Sequence, residues 1–271
     1  MITSVRTGEW IARGQEILQK IVEREGESIS QAAQWCADSI AADGVVHLFG
    51  TGHSRIAIEE MFPRYGSFPG FNPIGELSMT FHTEVVGANG QRQAMFIERV
   101  EGLAEQILNN FQFAPQDLMI VFSAGGQTAV PIEMARGARA RGIKVIAVTS
   151  VASQKHQASP HSSGTSLFEN ADLVIDLNTP IGDALITIEG LKTPVGPGSS
   201  LSVVAIVNEI KVQTARHLHS RGIEPLVLTS SSIVGKEENK RLFEAAYAEH
   251  ARRISSRLAG APSTGEESGG R

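Results

Sequence analysis

HLFGTGHSRI, residues 47–56, runs from an apolar stretch into Gly-Thr-Gly-His-Ser and back into residues that suit a helix. Upstream, Asp43-Gly44 closes a helical pattern and Val45 to Phe49 reads as a short buried strand. Downstream, a helix runs from about Arg55 to Phe62 and stops at Pro63. The unit recurs: Asp117 to Phe122 is a second buried strand, Ser123 to Thr128 a loop of small residues, and Val130 to Arg141 a helix that tolerates Pro131 in its first turn. Ile143 to Thr149 and Asp172 to Leu177 are two more apolar strands, and Leu226 to Leu228 reads as an added edge strand. Further helices run from Pro197-Gly198-Ser199-Ser200 to about His219 and from Lys236 to Leu258. Strands apolar at nearly every position, alternating with helices, predict an α/β fold whose parallel sheet is covered on both faces.

Ahead of this core, Ile11, Leu18, Val22, Ile29, Ala33, Cys36 and Ile40 recur at helical spacings. Residues 9–41 are therefore one long or two consecutive amphipathic helices that need a partner surface. The end of the chain, from residue 259, is Gly, Ser and Glu with little to bury, and a disordered tail is expected there. The 271 residues suit one large domain with extensions. No apolar run approaches the roughly 18–20 residues of a membrane span, and the N-terminus lacks a signal-peptide core, so the expected location is the cytoplasm, with no membrane partner. The single cysteine, Cys36, excludes an intrachain disulfide and any multi-cysteine metal site. A net charge of −5 without a basic run argues against a nucleic-acid partner.

Loops between the C-terminal end of a parallel strand and the next helix are where such sheets bind ligands. The first N–H groups of a helix lack partners and carry about half a positive charge, so they hold an anion readily. Ser and Thr beside them add donors, although glycines in both loops also serve plain tight turns. A dinucleotide fingerprint fails because Arg55 stands where the third glycine belongs, and no Gly-Lys-Ser/Thr ending marks a nucleotide-phosphate loop. Neither Ser54 nor Ser123 sits in the G-x-S-x-G of a hydrolase nucleophile. His217 and His219, two apart on a helix, do not share a face, and no metal or cofactor is expected.

Phe49-Gly-Thr-Gly-His-Ser54, Asn72-Pro-Ile74, Phe122-Ser123 through Pro131-Ile-Glu-Met134, His161-Ser-Ser-Gly164, Gly182-Asp-Ala184 and Val195-Gly-Pro-Gly198 together resemble the sugar isomerase (SIS) domain family, in particular its stand-alone bacterial members. The resemblance spans roughly residues 5–250 and implies a flavodoxin-like α-β-α sandwich with a five-stranded parallel sheet over 44–258. It implies that residues 1–43 are a helical extension packing on the core or on a partner subunit. It also implies homodimers or homotetramers binding a sugar phosphate near a subunit interface, and phosphosugar aldose–ketose isomerisation through an enediol. The family's phosphate loop reads Ser-x-Ser-Gly-x-Thr/Ser. Ser123, Gly126 and Thr128 fall on it, and Gly125 replaces the second serine, removing one hydroxyl donor. That departure leaves a sulfonate or carboxylate open as the anionic group. Gly50, Thr51, Gly52 and Ser54 of the first loop complete the expected anion site, with Ser199 and Ser200 donating to ligand or capping their helix.

Such isomerisation needs a base to move a proton between adjacent carbons and an acid to serve the oxygens. The resemblance points to a Glu on the helix after the first glycine loop and a His elsewhere: Glu59 or Glu60, with His53 and His161 as partners. The two glutamates point about 100° apart, so no more than one faces a cleft, and a solvated helix face is the competing reading. A lyase of the same fold, or a sugar-phosphate-binding regulatory module, is the alternative function.

Overall fold

A computed structural model describes residues 7–80 and 90–260; the tail expected to be disordered lies, from residue 261, outside these. The chain opens with α1, Glu9–Ala41, a single helix of 33 residues and about 50 Å. It continues through β1 (Val46–Gly50), α2 (Arg55–Met61), β2 (Phe71–Ile74), α3 (Gly90–Ile97), α4 (Leu103–Leu108), β3 (Leu118–Ser123), α5 (Ala129–Ala140), β4 (Lys144–Thr149), α6 (Val151–His156) and β5 (Leu173–Asp176). A short hairpin, β6 (Ala184–Ile186) and β7 (Val195–Pro197), leads into α7 (Ser199–Ser220), α8 (Ser231–Val234) and α9 (Lys236–Ser255).

The five long-axis strands form one all-parallel sheet in the order β2-β1-β3-β4-β5. This is the flavodoxin-like order. Successive strand residues alternate between two cores, as the period of a strand requires. Val46, Leu48, Leu118, Ile120 and Phe122 face α1, α2 and α7, while Phe49, Met119, Val121, Val145 and Ala147 face α4 and α5. Burying each of the large side chains contributes on the order of 2 kcal/mol. Ile29, Ala32, Ala33, Cys36 and Ile40 of α1 belong to the first of these cores. Ile11 and Val22, apolar members of the same sequence pattern, are 60% and 72% exposed. Burial drives the Cys36 thiol up to about 12, so it packs rather than reacts.

Two expectations need correction. Leu226–Leu228 is not a strand of the sheet: Leu228 N–H donates to Ser67 O and Leu228 O accepts from Gly66 N–H, each at 2.8 Å, which ties this segment to the loop before β2. The fifth strand is Phe71–Ile74, which carries Pro73 and lies at the sheet edge, where a missing N–H is tolerated.

Candidate functional site

In the order 2-1-3-4-5 the chain winds in opposite directions from β1 and β3, so the loops after these two adjacent strands splay apart and leave a crevice at their C-terminal ends. The Gly-Thr-Gly-His-Ser loop leaves β1 and turns through a short 3-10 stretch, Gly52–Ser54, into α2. The small-residue loop leaves β3 and opens α5 at Thr128. They touch where Ala124 N–H donates to Ser54 Oγ at 3.4 Å. Between them lies a cleft of about 500 Å³ whose wall includes Thr51 to Ser54, Glu98, Arg99, Ser123 to Thr128, Asp183, Ser199 and Ser200.

The second loop is held in shape by short bonds on both sides. Ser123 Oγ accepts the Gly126 N–H at 3.1 Å, which folds the loop back on its strand. Gly126 has φ +61°, and a Cβ there would collide with the side chain of buried Gln154, so both backbone and space demand glycine. Gln154 is held by its own bonds: Nε2 donates to Thr149 Oγ1 (2.6 Å) and Oε1 accepts from Phe168 N–H (3.1 Å). Leu167 N–H donates to Gly126 O at 2.8 Å from the other side. Thr128 stands at the N-cap of α5 without a capping bond from its hydroxyl, and no acidic residue lies in the helix's first turn. Of the first-turn positions of α5, Val130 gives its N–H to the Glu98 carbonyl (3.0 Å) and Pro131 has no N–H to offer.

The first loop plays a different part. Gly50 lies so close to Ser54 that a Cβ would approach its carbonyl oxygen to 2.9 Å. The Thr51 hydroxyl donates to Glu98 Oε2 at 2.7 Å and so is aimed at a carboxylate rather than at the second loop. Glu98 is further fixed by its carbonyl, which accepts the Val130 N–H of α5 at 3.0 Å. Burial pushes the Glu98 carboxyl above its ordinary range, against the pull of Thr51 and of neighbouring Arg99. Sequence reasoning missed Glu98. It follows no glycine loop, and its only local signal is its adjacency to Arg99 just past an amphipathic helix.

The remaining candidates are distributed as follows. His53 is on the cleft wall. Ser199 is engaged internally, its N–H and hydroxyl donating to the Asp183 carboxylate at 2.7 and 2.6 Å, while Ser200 lines the cleft. Glu59 and Glu60 are not brought to this cleft within the chain. On α2, Ala57, Ile58 and Met61 turn inward, which leaves Glu59 exposed beside Arg55 (3.3 Å) and directs Glu60 towards α7. There Glu60 accepts from Asn208 Nδ2 (2.8 Å) and pairs with Arg64, and Lys211 Nζ donates to its carbonyl (2.8 Å). Both glutamates line a separate hollow of about 560 Å³ with Tyr65, Phe243 and Tyr247, which neither glycine loop reaches.

His161, expected as a catalytic partner, is likewise withdrawn: its side chain is 2% exposed and does not line the cleft, although Pro160 does. Its Nδ1 lies against the Ser163 N–H (3.0 Å) and hydroxyl (2.7 Å), and its Nε2 is 3.4 Å from Glu133 Oε1. With Glu101 these residues are a group of metal-ligand types. Glu133 already accepts the Gly102 N–H and Glu101 the Ser162 N–H (2.8 Å), so the group is wired as a clasp between loops.

The sequence model of the SIS domain family matches residues 9–150. A UPF0309 protein of Geobacillus kaustophilus is 33% identical over 234 residues, covering 86% of this chain and 91% of that protein. A phosphoheptose isomerase from Francisella tularensis is a structural neighbour with a TM-score of 0.48 and 15% identity, covering 76% of this chain and 95% of that one. The NanR protein of Vibrio vulnificus in complex with ManNAc-6P is another, with a TM-score of 0.43, 15% identity, and coverage of 90% and 68%.

Proposed function

Because this chain belongs to the SIS domain family, we propose that it is a phosphosugar aldose–ketose isomerase whose substrate phosphate sits in the loop from Ser123 to Thr128 and whose proton is moved by Glu98. The observation that carries this reading is the position of Glu98: a carboxyl held above its usual range by burial, on the wall of the same cleft as that loop. A carboxyl poised nearer the working pH can both take a proton from the carbon beside a carbonyl and return it to the neighbouring carbon. The enediol forms when Glu98 removes that proton, and the ketose forms when Glu98 delivers it one carbon along. His53, on the same wall, is assigned the exchange with the sugar oxygens. Thr51 is a positioning residue that points the Glu98 carboxylate. A homo-oligomer, as the family resemblance implies, is part of the proposal.

A panel of four- to seven-carbon aldose phosphates, followed by NMR and mass spectrometry, tests it. The expected product is a ketose phosphate of unchanged mass. Loss of mass from the substrate would instead identify elimination, and tight binding without turnover of any member would identify a binding module.

A further inference from the structure

His161-Ser-Ser-Gly164, which the resemblance singles out and the isomerase reading leaves unused, meets two other segments of the chain. Glu101 comes from the turn between α3 and α4, Glu133 from α5, and His161 from the loop after α6. One ligand-type atom from each lies within 4.8 Å of the other two. His161 Nε2 is 3.4 Å from Glu133 Oε1 and 3.9 Å from Glu101 Oε1. An ordinary N–H···O bond spans roughly 2.7–3.2 Å, so this nitrogen makes no bond of ordinary length to either carboxylate. Two ligand atoms about 2.1 Å from one tetrahedral ion stand roughly 3.4 Å apart, which is the spacing found to Glu133. The carboxylates are also prepared as ligands. Glu133 is oriented by the Gly102 N–H, which its two oxygens accept at 2.9 and 2.8 Å, and Glu101 by the Ser162 N–H at 2.8 Å. The bonds from Ser162 hold the Glu101 carboxyl below its ordinary range, so it is ionised at neutral pH. Arg136 acts on Glu101 only through space, and among the described residues no Lys or Arg forms an ion pair with Glu101 or Glu133. Two carboxylates without a paired cation therefore converge on an imidazole whose side chain is 2% exposed.

We infer that Glu101, Glu133 and His161 bind one divalent transition-metal ion of the zinc class, which locks the loop after α6 to the segment that carries Glu98. One imidazole nitrogen with two carboxylate oxygens is a donor set for zinc, whereas magnesium and calcium take oxygen alone. The fourth tetrahedral position falls to water. Binding uses the Nε2 lone pair and so fixes the ring proton on Nδ1, 2.7 Å from the Ser163 hydroxyl that then accepts it; the 3.0 Å contact of the Ser163 N–H with Nδ1 is given up. Glu101, the exposed member, has room to swing the remaining distance. Gln157 and Pro160 of the locked loop line the cleft, as Glu98 does, so the ion braces two parts of its wall. This inference stands apart from the isomerase reading.

Calorimetric titration of the full-length, chelator-treated protein with zinc chloride tests this, and the visible absorption of added cobalt(II) reads the geometry. The wild type is expected to bind one zinc per chain and to give the intense band of tetrahedral cobalt(II). His161→Gln should weaken zinc binding by about hundredfold or more, and Ser163→Ala, which removes only the hydroxyl behind the ring, by about tenfold. Glu101→Gln, at an exposed position, should weaken it by about tenfold and keeps the test decisive if the buried substitution does not fold. His219→Ala, which removes the exposed pair of His219 with Glu224 (2.9 Å), should leave zinc binding unchanged. Zinc should also raise the melting temperature of the wild type, and that of His161→Gln by less. Failure of the wild type to bind zinc overturns the inference, as does zinc binding of unchanged affinity in folded His161→Gln or Glu101→Gln. Either result leaves the isomerase reading standing, since the sugar-phosphate panel tests that separately.

Discussion

Glu98 and Gly125 show what single residues decide in this cleft. Replacing Glu98 with Gln removes the proton carrier but keeps an acceptor for the Thr51 hydroxyl. Turnover should fall by about 10²–10⁴-fold while inorganic phosphate still binds. The raised carboxyl also has a pH signature: the acidic limb of the wild-type rate profile should lie above the ordinary carboxylate value of about 4.3, and Glu98→Gln should lose that limb. Steady-state kinetics across pH check both. A Cβ on Gly125 would meet nothing within 4 Å, so Gly125→Ser adds the hydroxyl that the family loop carries without strain. Phosphate should then bind about two- to tenfold more tightly, the worth of one added hydrogen bond, as read by titration. Gly125 and Ser123 were legible from the chain because the loop is local. Glu98 was not, since 25 to 30 residues separate it from Ser123 to Thr128 and it meets Thr51 and Val130 only across the folded cleft.

At the scale of elements, the end of α9 is clasped to the start of the sheet by one carboxylate. Asp117, fully buried, accepts Arg257 Nε at 2.7 Å and Nη2 at 3.0 Å, together with the N–H groups of Val45 and Ala114. His47 Nε2 lies 3.5 Å away without hydrogen-bond alignment. Burial works to raise the Asp117 carboxyl, but the bonds it accepts outweigh it and hold it below the ordinary value. A depressed folded-state value means that the stabilisation is complete above the unfolded value, about 3.9, and is lost as pH falls through the folded one. Asp117→Asn should cost about 3–5 kcal/mol because it leaves a buried guanidinium uncompensated, and it should flatten the acid limb of stability. Denaturant unfolding of both forms between neutral and strongly acid pH measures this. The elements themselves were mostly legible, because buried strands and amphipathic helices announce their period. The edge strand β2 was not, since Pro73 disguises it; the covering of α1 was legible only in part, since Ile11 and Val22 match its pattern yet face outward.

For the whole molecule, ligand and fold are linked through the cradle. An anion bound at one hundred times its dissociation constant adds about 2.7 kcal/mol to global stability, so inorganic phosphate should raise the melting temperature of the wild type. Gly126→Ala forces a Cβ against Gln154 at a positive φ. It should abolish that phosphate-dependent rise while lowering the melting temperature without phosphate, a pair of shifts that thermal scans with and without phosphate resolve. What the chain determined by itself was whatever is local: the parallel α/β class and the two glycine-containing loops. What only the tertiary structure decided was which charges stand around those loops. Strand order brings two distant loops to one crevice and draws Glu98 into it. The inward turn of Ala57, Ile58 and Met61 sends Glu59 and Glu60 elsewhere, and the return of the hairpin lets Asp183 fill the start of α7. Periodicity specifies which face of an element is buried, whereas meeting partners across tens of residues depends on how the buried faces pack.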